Sequence, residues 1–111
     1  MTQAAGMYNT LLRGDEPALV IECLNGYRLK EKLPDNVGEF RVELGKAEII
    51  REGKDITVIS YGSTLRIVEE AAEELERLGI DIEIVDPQTF LPFDLGNLCA
   101  ESLSKTNKLL V

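Results

Sequence analysis

Residues 56–85 read ITVISYGSTLRIVEEAAEELERLGIDIEIV, and this stretch decides the fold. A β-branched apolar run ends at Gly62, an amphipathic helical segment covers residues 63–78, and an alternating strand covers residues 80–85. Gly79 stands between the helix and the second strand, where a left-handed helix C-cap belongs. The strand–helix–strand order predicts two parallel strands joined by a right-handed crossover.

The helical segment has one apolar stripe and one acidic face. The predicted stripe consists of Val68, Ala71, Ala72, Leu75 and Leu78. The glutamates of this segment lie largely off the stripe, and we interpret them as a solvated face rather than a carboxylate site.

The flanking residues extend the same α/β pattern. A predicted strand lies on each side of a short turn at Gly53, which favours an antiparallel hairpin. Asp94 can cap a second helix, and the apolar end of the chain predicts another buried strand. We therefore predict an α/β fold with a mostly parallel sheet and one antiparallel strand. These further elements are expected at residues 46–52, 56–61, 95–104 and 108–111.

The amino-terminal part has a different character. It predicts a helix at residues 2–13 and a buried strand at residues 18–23, followed by a polar linker over residues 25–40 that contains the domain boundary. One helix and one strand cannot bury their apolar faces alone. We therefore expect the chain to be a piece of a longer protein, with residues 1–24 mobile in isolation.

Composition removes several classes of function. The net charge of −8 argues against nucleic-acid binding, and no apolar run approaches the roughly 20 residues that span a bilayer. The chain has no histidine, which removes Ser-His-Asp and Cys-His catalysis and the commonest metal ligand. No catalytic residue and no metal site are predicted. Cys23 and Cys99 are expected to be buried free thiols in a reducing cytoplasm, so we predict a cytoplasmic protein.

Two segments are candidate sites. The turn formed by Gly62, Ser63 and Thr64 follows a parallel strand and opens a helix, which is where an anion can bind. It lacks the further glycine and the lysine of a phosphate-binding loop, so a tight turn with a hydroxyl cap is the alternative. The apolar loop of residues 90–93 either packs over the sheet edge or forms a subunit contact. The loop residues are Phe90, Leu91, Pro92 and Phe93.

Asp86 ends a predicted strand, as a phospho-acceptor aspartate does in a receiver domain. Such a domain also needs an acidic pair after its first strand, and the stretch ISYGST has none. Asp86 is therefore interpreted as a turn residue before Pro87.

Four stretches in this order resemble one known family: PALVIECLNGYRLKE, LGKAEIIREGKDITVISYGST, EEAAEELERLGIDIEIVDPQTFLPFD and SLSKTNKLLV. They are similar to the beta chain, or fused beta half, of thiamine-diphosphate-dependent 2-oxoacid dehydrogenases of the pyruvate and 2-oxoisovalerate type. The resemblance implies that residues 1–24 end a pyrimidine-binding domain and residues 25–44 form the linker. Residues 45–111 would begin a transketolase C-terminal domain that is truncated here.

The same resemblance implies a role without catalysis for this segment. The parent enzyme would decarboxylate a 2-oxoacid and transfer the acyl group to lipoyl groups. The thiamine diphosphate and magnesium of the parent would be held outside this segment, and neither is expected to bind it. Some relatives bind a monovalent cation near the stretch matching LLRGDEP, but Gly14 stands where an acidic ligand would be expected. The implied partners are the alpha half, a dimer mate and the lipoyl acyltransferase core.

Two other classes of function remain open from the residues themselves. The chain could be a stand-alone module that binds small anions at residues 62–64, or a structural interaction domain. Both are α/β modules and neither needs a catalytic residue.

Overall fold

The computed structural model describes residues 2–28, 30, 32 and 35–111, without the side chains of Thr2 and Asn25. The chain divides into two compact units, residues 1–44 and 45–111. The predicted linker at residues 25–44 lies partly outside the described residues.

Among the described residues, the first unit contains the helix α1 (Thr2–Leu11), followed by a 3-10 turn at Leu24–Arg28. Polar side chains of α1 bind the backbone of residues 36–42. The amide of Asn9 donates to the carbonyls of Val37 and Phe40 at 2.6 and 2.8 Å. The Thr10 hydroxyl donates to the carbonyl of Val42 at 2.6 Å. These side-chain bonds satisfy three backbone carbonyls that make no strand hydrogen bonds.

The predicted strand at residues 18–23 is wrong in this structure. These residues have no strand pairing, and Leu19 and Ile21 are exposed. A strand needs a neighbour for its backbone hydrogen bonds, and every strand in the described residues belongs to the second unit. Cys23 is likewise exposed, which corrects the predicted burial. Glu22 accepts a 2.5 Å hydrogen bond from the Tyr8 hydroxyl, which raises the pKa of that hydroxyl.

The second unit is a four-stranded sheet with one helix on each face. The strand order is β1-β3-β2-β4; β2, β3 and β4 run parallel and β1 is antiparallel. The elements are β1 (Glu48–Arg51), β2 (Ile56–Ile59), α2 (Thr64–Glu76), β3 (Ile82–Asp86), α3 (Leu98–Thr106) and β4 (Leu109–Leu110). The α/β class and the single antiparallel strand are confirmed.

The predicted hairpin between the first two strands is wrong. β1 pairs with β3, with Glu48 opposite Asp86, and β3 therefore lies between β1 and β2. The turn at Gly53 passes close to the start of β3: a Cβ added to Gly53 would lie 2.2 Å from the carbonyl carbon of Ile82. Only glycine allows this approach of two backbones.

The two faces of the sheet differ in chemistry. Under α2 the core is apolar and consists of Val58, Ala72, Ile82 and Ile84. Val68 and Leu75 of the predicted stripe pack against it, whereas Ala71 and Leu78 are exposed, because the stripe is wider than the face that the sheet covers. Gly79 has the expected left-handed φ of 81°.

The face under α3 is partly polar. Ala47, Val85 and Cys99 form a small apolar cluster there. Beside it, the hydroxyl of Thr57 lies 2.7 Å from those of both Ser102 and Thr106, and all three side chains are buried. In the described residues, no helix is both long and apolar enough to cross a bilayer.

Candidate functional site

The carboxyl ends of β2 and β3 lie side by side and carry both sequence-predicted segments. Ile59 is in register with Val85, and the amide of Ser60 donates to the carbonyl of Val85 at 3.1 Å. The turn of residues 61–64 follows one strand and the apolar loop of residues 90–93 follows shortly after the other. This edge is where open α/β sheets place their sites.

One aromatic contact joins the two segments. The rings of Tyr61 and Phe90 meet edge to face with their centroids 4.7 Å apart. Leu91 is 94% exposed, and Phe90, Pro92 and Phe93 are exposed as well. We call Tyr61 and residues 90–93 together the carboxyl-edge surface. Packing within the chain therefore leaves these four side chains largely exposed, and a subunit contact stays a prediction.

The loop is short and held at both ends. The hydroxyl of Thr89 accepts from the amide of Gly45 at 2.8 Å and donates to the carbonyl of Pro92 at 2.7 Å. The amide of Leu95 donates to the carbonyl of Gly45 at 2.7 Å. Gly45 has a φ of 78°, and a Cβ there would lie 2.8 Å from Pro92. The backbone of the loop is therefore fixed by the Thr89 hydroxyl and by Gly45, and its apolar side chains stay exposed.

Asp94 ends the loop and caps α3, as its position in the sequence predicts. Its two carboxylate oxygens accept from the amides of Leu98 and Cys99 at 2.9 and 2.8 Å. A carboxylate at this end also complements the helix dipole. Burial, followed by the hydrogen bond with Asp94, raises the pKa of the Cys99 thiol to about 11. Cys99 is thus a buried and unreactive thiol, as predicted.

The turn of Gly62, Ser63 and Thr64 is a tight turn whose hydroxyls serve the chain itself. Gly62 has a φ of 62°. The Thr64 hydroxyl donates to the carbonyl of Tyr61 at 2.5 Å and lies 2.8 Å from the hydroxyl of Ser60. Ser63 makes no side-chain capping bond, so the predicted hydroxyl cap is absent at this helix start. The first amides of α2 therefore keep their capacity to donate.

Asp86 belongs to a buried turn at the end of β3. One of its oxygens accepts from the amide of Gln88 at 2.9 Å, which is the turn role that the sequence predicts. Burial raises the pKa of Asp86, and the nearby charge of Glu48 raises it further. Among the described residues, no group of three or more acidic or cysteine side chains is placed to hold a metal ion.

An ion pair under α3 is the feature that sequence reasoning missed. Glu83 is fully buried in β3, where it accepts from the ammonium of Lys105 and from the amide of Gly53. Burial alone would raise the pKa of Glu83, but the bonds from Lys105, Ser102 and Gly53 together hold it below its usual value. The alternation of IDIEIV marks Glu83 as polar, but only the strand order shows that both faces of β3 are covered.

Comparison with known proteins identifies the family. Residues 45–111 match the transketolase C-terminal domain family. The pyruvate dehydrogenase E1 component subunit beta of Staphylococcus epidermidis is 36% identical over 97% of this chain and 33% of its own length. The same subunit of Bacillus subtilis is 36% identical and that of Staurastrum punctulatum is 39% identical, with similar coverage.

A solved structure agrees with these relatives. A split-gene transketolase, described as an inactive beta4 tetramer, superposes with a TM-score of 0.59 at 33% identity. The match covers 65% of this chain and 24% of that protein. The chain spans about one third of the length of the curated relatives that it matches. The chain belongs to the transketolase C-terminal domain family and is homologous to pyruvate dehydrogenase E1 beta subunits.

Proposed function

We propose that this chain is a non-catalytic segment of the decarboxylating component of a 2-oxoacid dehydrogenase, acting on pyruvate or a branched-chain 2-oxoacid. The supporting observation is the similarity to pyruvate dehydrogenase E1 beta subunits over 97% of the chain. The parent would use thiamine diphosphate and magnesium and pass the acyl group to lipoyl groups. Residues 1–24, 25–44 and 45–111 would be the end of the pyrimidine-binding domain, the linker and the C-terminal domain.

A chimera tests this proposal. The matching segment of the Bacillus subtilis beta subunit is replaced by this chain, and the subunit is assembled with its alpha subunit. We expect the chimera to decarboxylate pyruvate. Its KM values for pyruvate and thiamine diphosphate should lie within about threefold of those of the unmodified Bacillus subtilis enzyme, because a non-catalytic segment does not contact either molecule. An assembled chimera that has lost activity would contradict a purely non-catalytic role.

Calorimetry on the isolated chain provides the complementary measurement. We expect no heat of binding when thiamine diphosphate and Mg²⁺ are titrated together into the chain. A saturable isotherm with a micromolar Kd would show that this segment carries part of the cofactor site.

We further propose that the carboxyl-edge surface is covered by another subunit in the assembled enzyme. Its charge-free, exposed apolar side chains support this proposal, because such patches on an isolated chain mark interaction sites. The related split-gene transketolase beta chain is described as a tetramer. A dimer mate, the alpha half and the acyltransferase core are the partners that the family suggests.

A matched pair of variants in the chimera tests the interface. Leu91→Asp places a charge on the carboxyl-edge surface, whereas Leu78→Asp places one on an exposed side chain at the end of α2. Light scattering should show dissociation of the assembly for Leu91→Asp and an unchanged mass for Leu78→Asp. If Leu91→Asp keeps the same assembled mass as Leu78→Asp, the carboxyl-edge surface is not part of the subunit contacts.

A second candidate function is a stand-alone module that binds small anions at Gly62, Ser63 and Thr64. It is favoured by the start of α2, where Ser63 makes no side-chain capping bond. Phosphate titration followed by NMR should then shift the amides of Ser63 and Thr64 in a saturable way. The amide of Leu98, already occupied by Asp94, is the internal control. Equal, non-saturating shifts at all three amides would exclude this function.

A further inference from the structure

The helix α3 is attached to the sheet partly through polar groups. Glu83 accepts from Lys105 in the last turn of α3, and Lys105 is shared with Glu52 at 3.0 Å. One helical turn earlier, Ser102 meets the buried hydroxyl of Thr57 at 2.7 Å. The apolar cluster on this face takes Leu98 and Cys99 from the start of the helix. The docking of α3 therefore includes a charge pair and hydroxyl bonds beside its apolar contacts.

The other end of α3 is connected to the apolar loop. Asp94 is the residue after Phe93, and its carboxylate binds the first amides of α3. The backbone of Asp94 also accepts from the amide of Asn97 at 2.9 Å. A displacement of α3 therefore pulls directly on the carboxyl end of the loop.

We propose that α3 links the buried Glu83–Lys105 pair to the conformation of the apolar loop at residues 90–93. In the docked state the pair holds α3 on the sheet, and Asp94, bound to the first amides of α3 and covalently joined to Phe93, fixes the carboxyl end of the loop. When Lys105 is withdrawn from Glu83, α3 loosens, the cap at Asp94 opens and the loop loses its fixed geometry. The two states differ in discrete contacts at both ends of one rigid helix, which is the physical requirement for coupling.

One member of the pair, Lys105, is accessible from solvent. The side chain of Lys105 is 43% exposed, whereas that of Glu83 is 0% exposed. Glu52 already shares the ammonium from the solvent side, so another carboxylate or anionic group can compete for Lys105 in the same way. Competition leaves Glu83 buried with fewer donors, which destabilises the docked state. This inference concerns one chain and holds whether or not a subunit covers the loop.

The test is a double-mutant cycle on the full chain, with amide exchange measured by NMR. Lys105→Met removes the ammonium, and Lys108→Met changes an exposed lysine in the same region as the control. Exchange at Leu98 and Cys99 in α3 should accelerate in Lys105→Met by about tenfold or more, the effect of losing a charged hydrogen bond. The loop-end amides of Thr89 and Leu95 should accelerate by a similar factor, and the control should change neither group.

Asp94→Ala then breaks the link while leaving the ion pair in place. In that background Lys105→Met should still accelerate exchange at amides in the last turn of α3, which Asp94 does not bind. It should no longer alter Thr89 or Leu95 beyond the change made by Asp94→Ala itself. If Lys105→Met does not fold, Lys105→Gln, which keeps a donor, replaces it in the same cycle. Two outcomes would overturn the proposal: loop exchange that ignores Lys105, or loop exchange that follows Lys105 equally with and without Asp94.

Discussion

The two faces of one sheet are held by different forces. Under α2 the contacts are apolar, and Ile84 is fully buried among Val58, Ala72 and Ile82. Under α3 the contacts include a buried carboxylate and three buried hydroxyls. Apolar packing is non-directional and insensitive to pH, whereas polar contacts depend on geometry and ionisation. The α2 face therefore stabilises this unit by apolar packing, while the stability of the α3 face also depends on pH through Glu83.

The largest expected effect comes from the apolar face. Ile84→Ala should lower the free energy of unfolding by about 2–5 kcal/mol, because it removes buried methyl groups and leaves a cavity. Urea unfolding followed by circular dichroism measures the loss. Ile67→Ala, on the exposed side of α2, is the control and should change stability by less than about 0.5 kcal/mol. Similar losses for both variants would contradict the position of the core.

The hydroxyl cluster of the polar face should give a smaller effect. Thr57→Val keeps the shape of the side chain but leaves Ser102 and Thr106 without their shared partner. We expect a loss of about 1–2 kcal/mol in the same urea measurement, the usual cost of an unsatisfied buried polar group. A stability gain would show that the hydroxyl cluster is unfavourable and that apolar packing alone holds α3.

The pH dependence should separate the faces further. The pKa of Glu83 is lowered in the folded state, so the unfolded chain binds more protons in the window between the two pKa values. The stability from Glu83 is therefore fully present above its unfolded pKa and is lost as pH falls through its folded pKa. Urea unfolding across the acid range should show a weaker rise of stability with pH for Glu83→Gln than for the unmodified chain.

Asp86 provides the control of opposite sign. Its folded pKa is raised, so the folded state retains protons that the unfolded state has lost, and its contribution falls as pH rises. Asp86→Asn should therefore make the rise of stability with pH steeper. If both variants change the slope in the same direction, the buried environments of the two carboxyls have been assigned wrongly.

Thiol labelling should give the smallest effect and the most local one. Cys23 is exposed and should react with a thiol reagent at the rate of a free cysteine. Cys99 lies on the side of α3 that packs on the sheet, and burial raises its pKa to about 11, so it should react only when α3 moves away from the sheet. Thr57→Val should increase the Cys99 rate by about tenfold, in line with its expected cost. Equal rates for the two thiols in the unmodified chain would show that α3 does not protect Cys99.

Local sequence predicts the second unit well and the first unit poorly. The helices α2 and α3, the cap at Asp94 and the left-handed Gly79 follow from periodicity and turn chemistry, which act over a few residues. The strand predicted at residues 18–23 does not form here, because pairing requires a partner strand that local pattern cannot guarantee. The apolar loop of the candidate site was visible in the sequence. Its contact with Tyr61 was not, because the contact joins residues from neighbouring strand ends.

The predicted start of α3 at residue 95 is wrong by about three residues, because Asp94 binds the amides of Leu98 and Cys99 across an intervening turn. The fold class, the single antiparallel strand and the exposed acidic face of α2 follow from the sequence. Each of these depends on side-chain period or on the conformational preference of one residue. The tertiary structure alone decided that β3 lies between β1 and β2, a position that Gly53 permits by leaving space for the backbone of Ile82. Because β3 has a neighbouring strand on each side and α3 packs over this face, Glu83 is fully buried. Lys105, which lies 22 residues later in α3, donates to it. Long-range pairing, which depends on the whole chain, therefore converted an ordinary strand glutamate into the buried charge under α3.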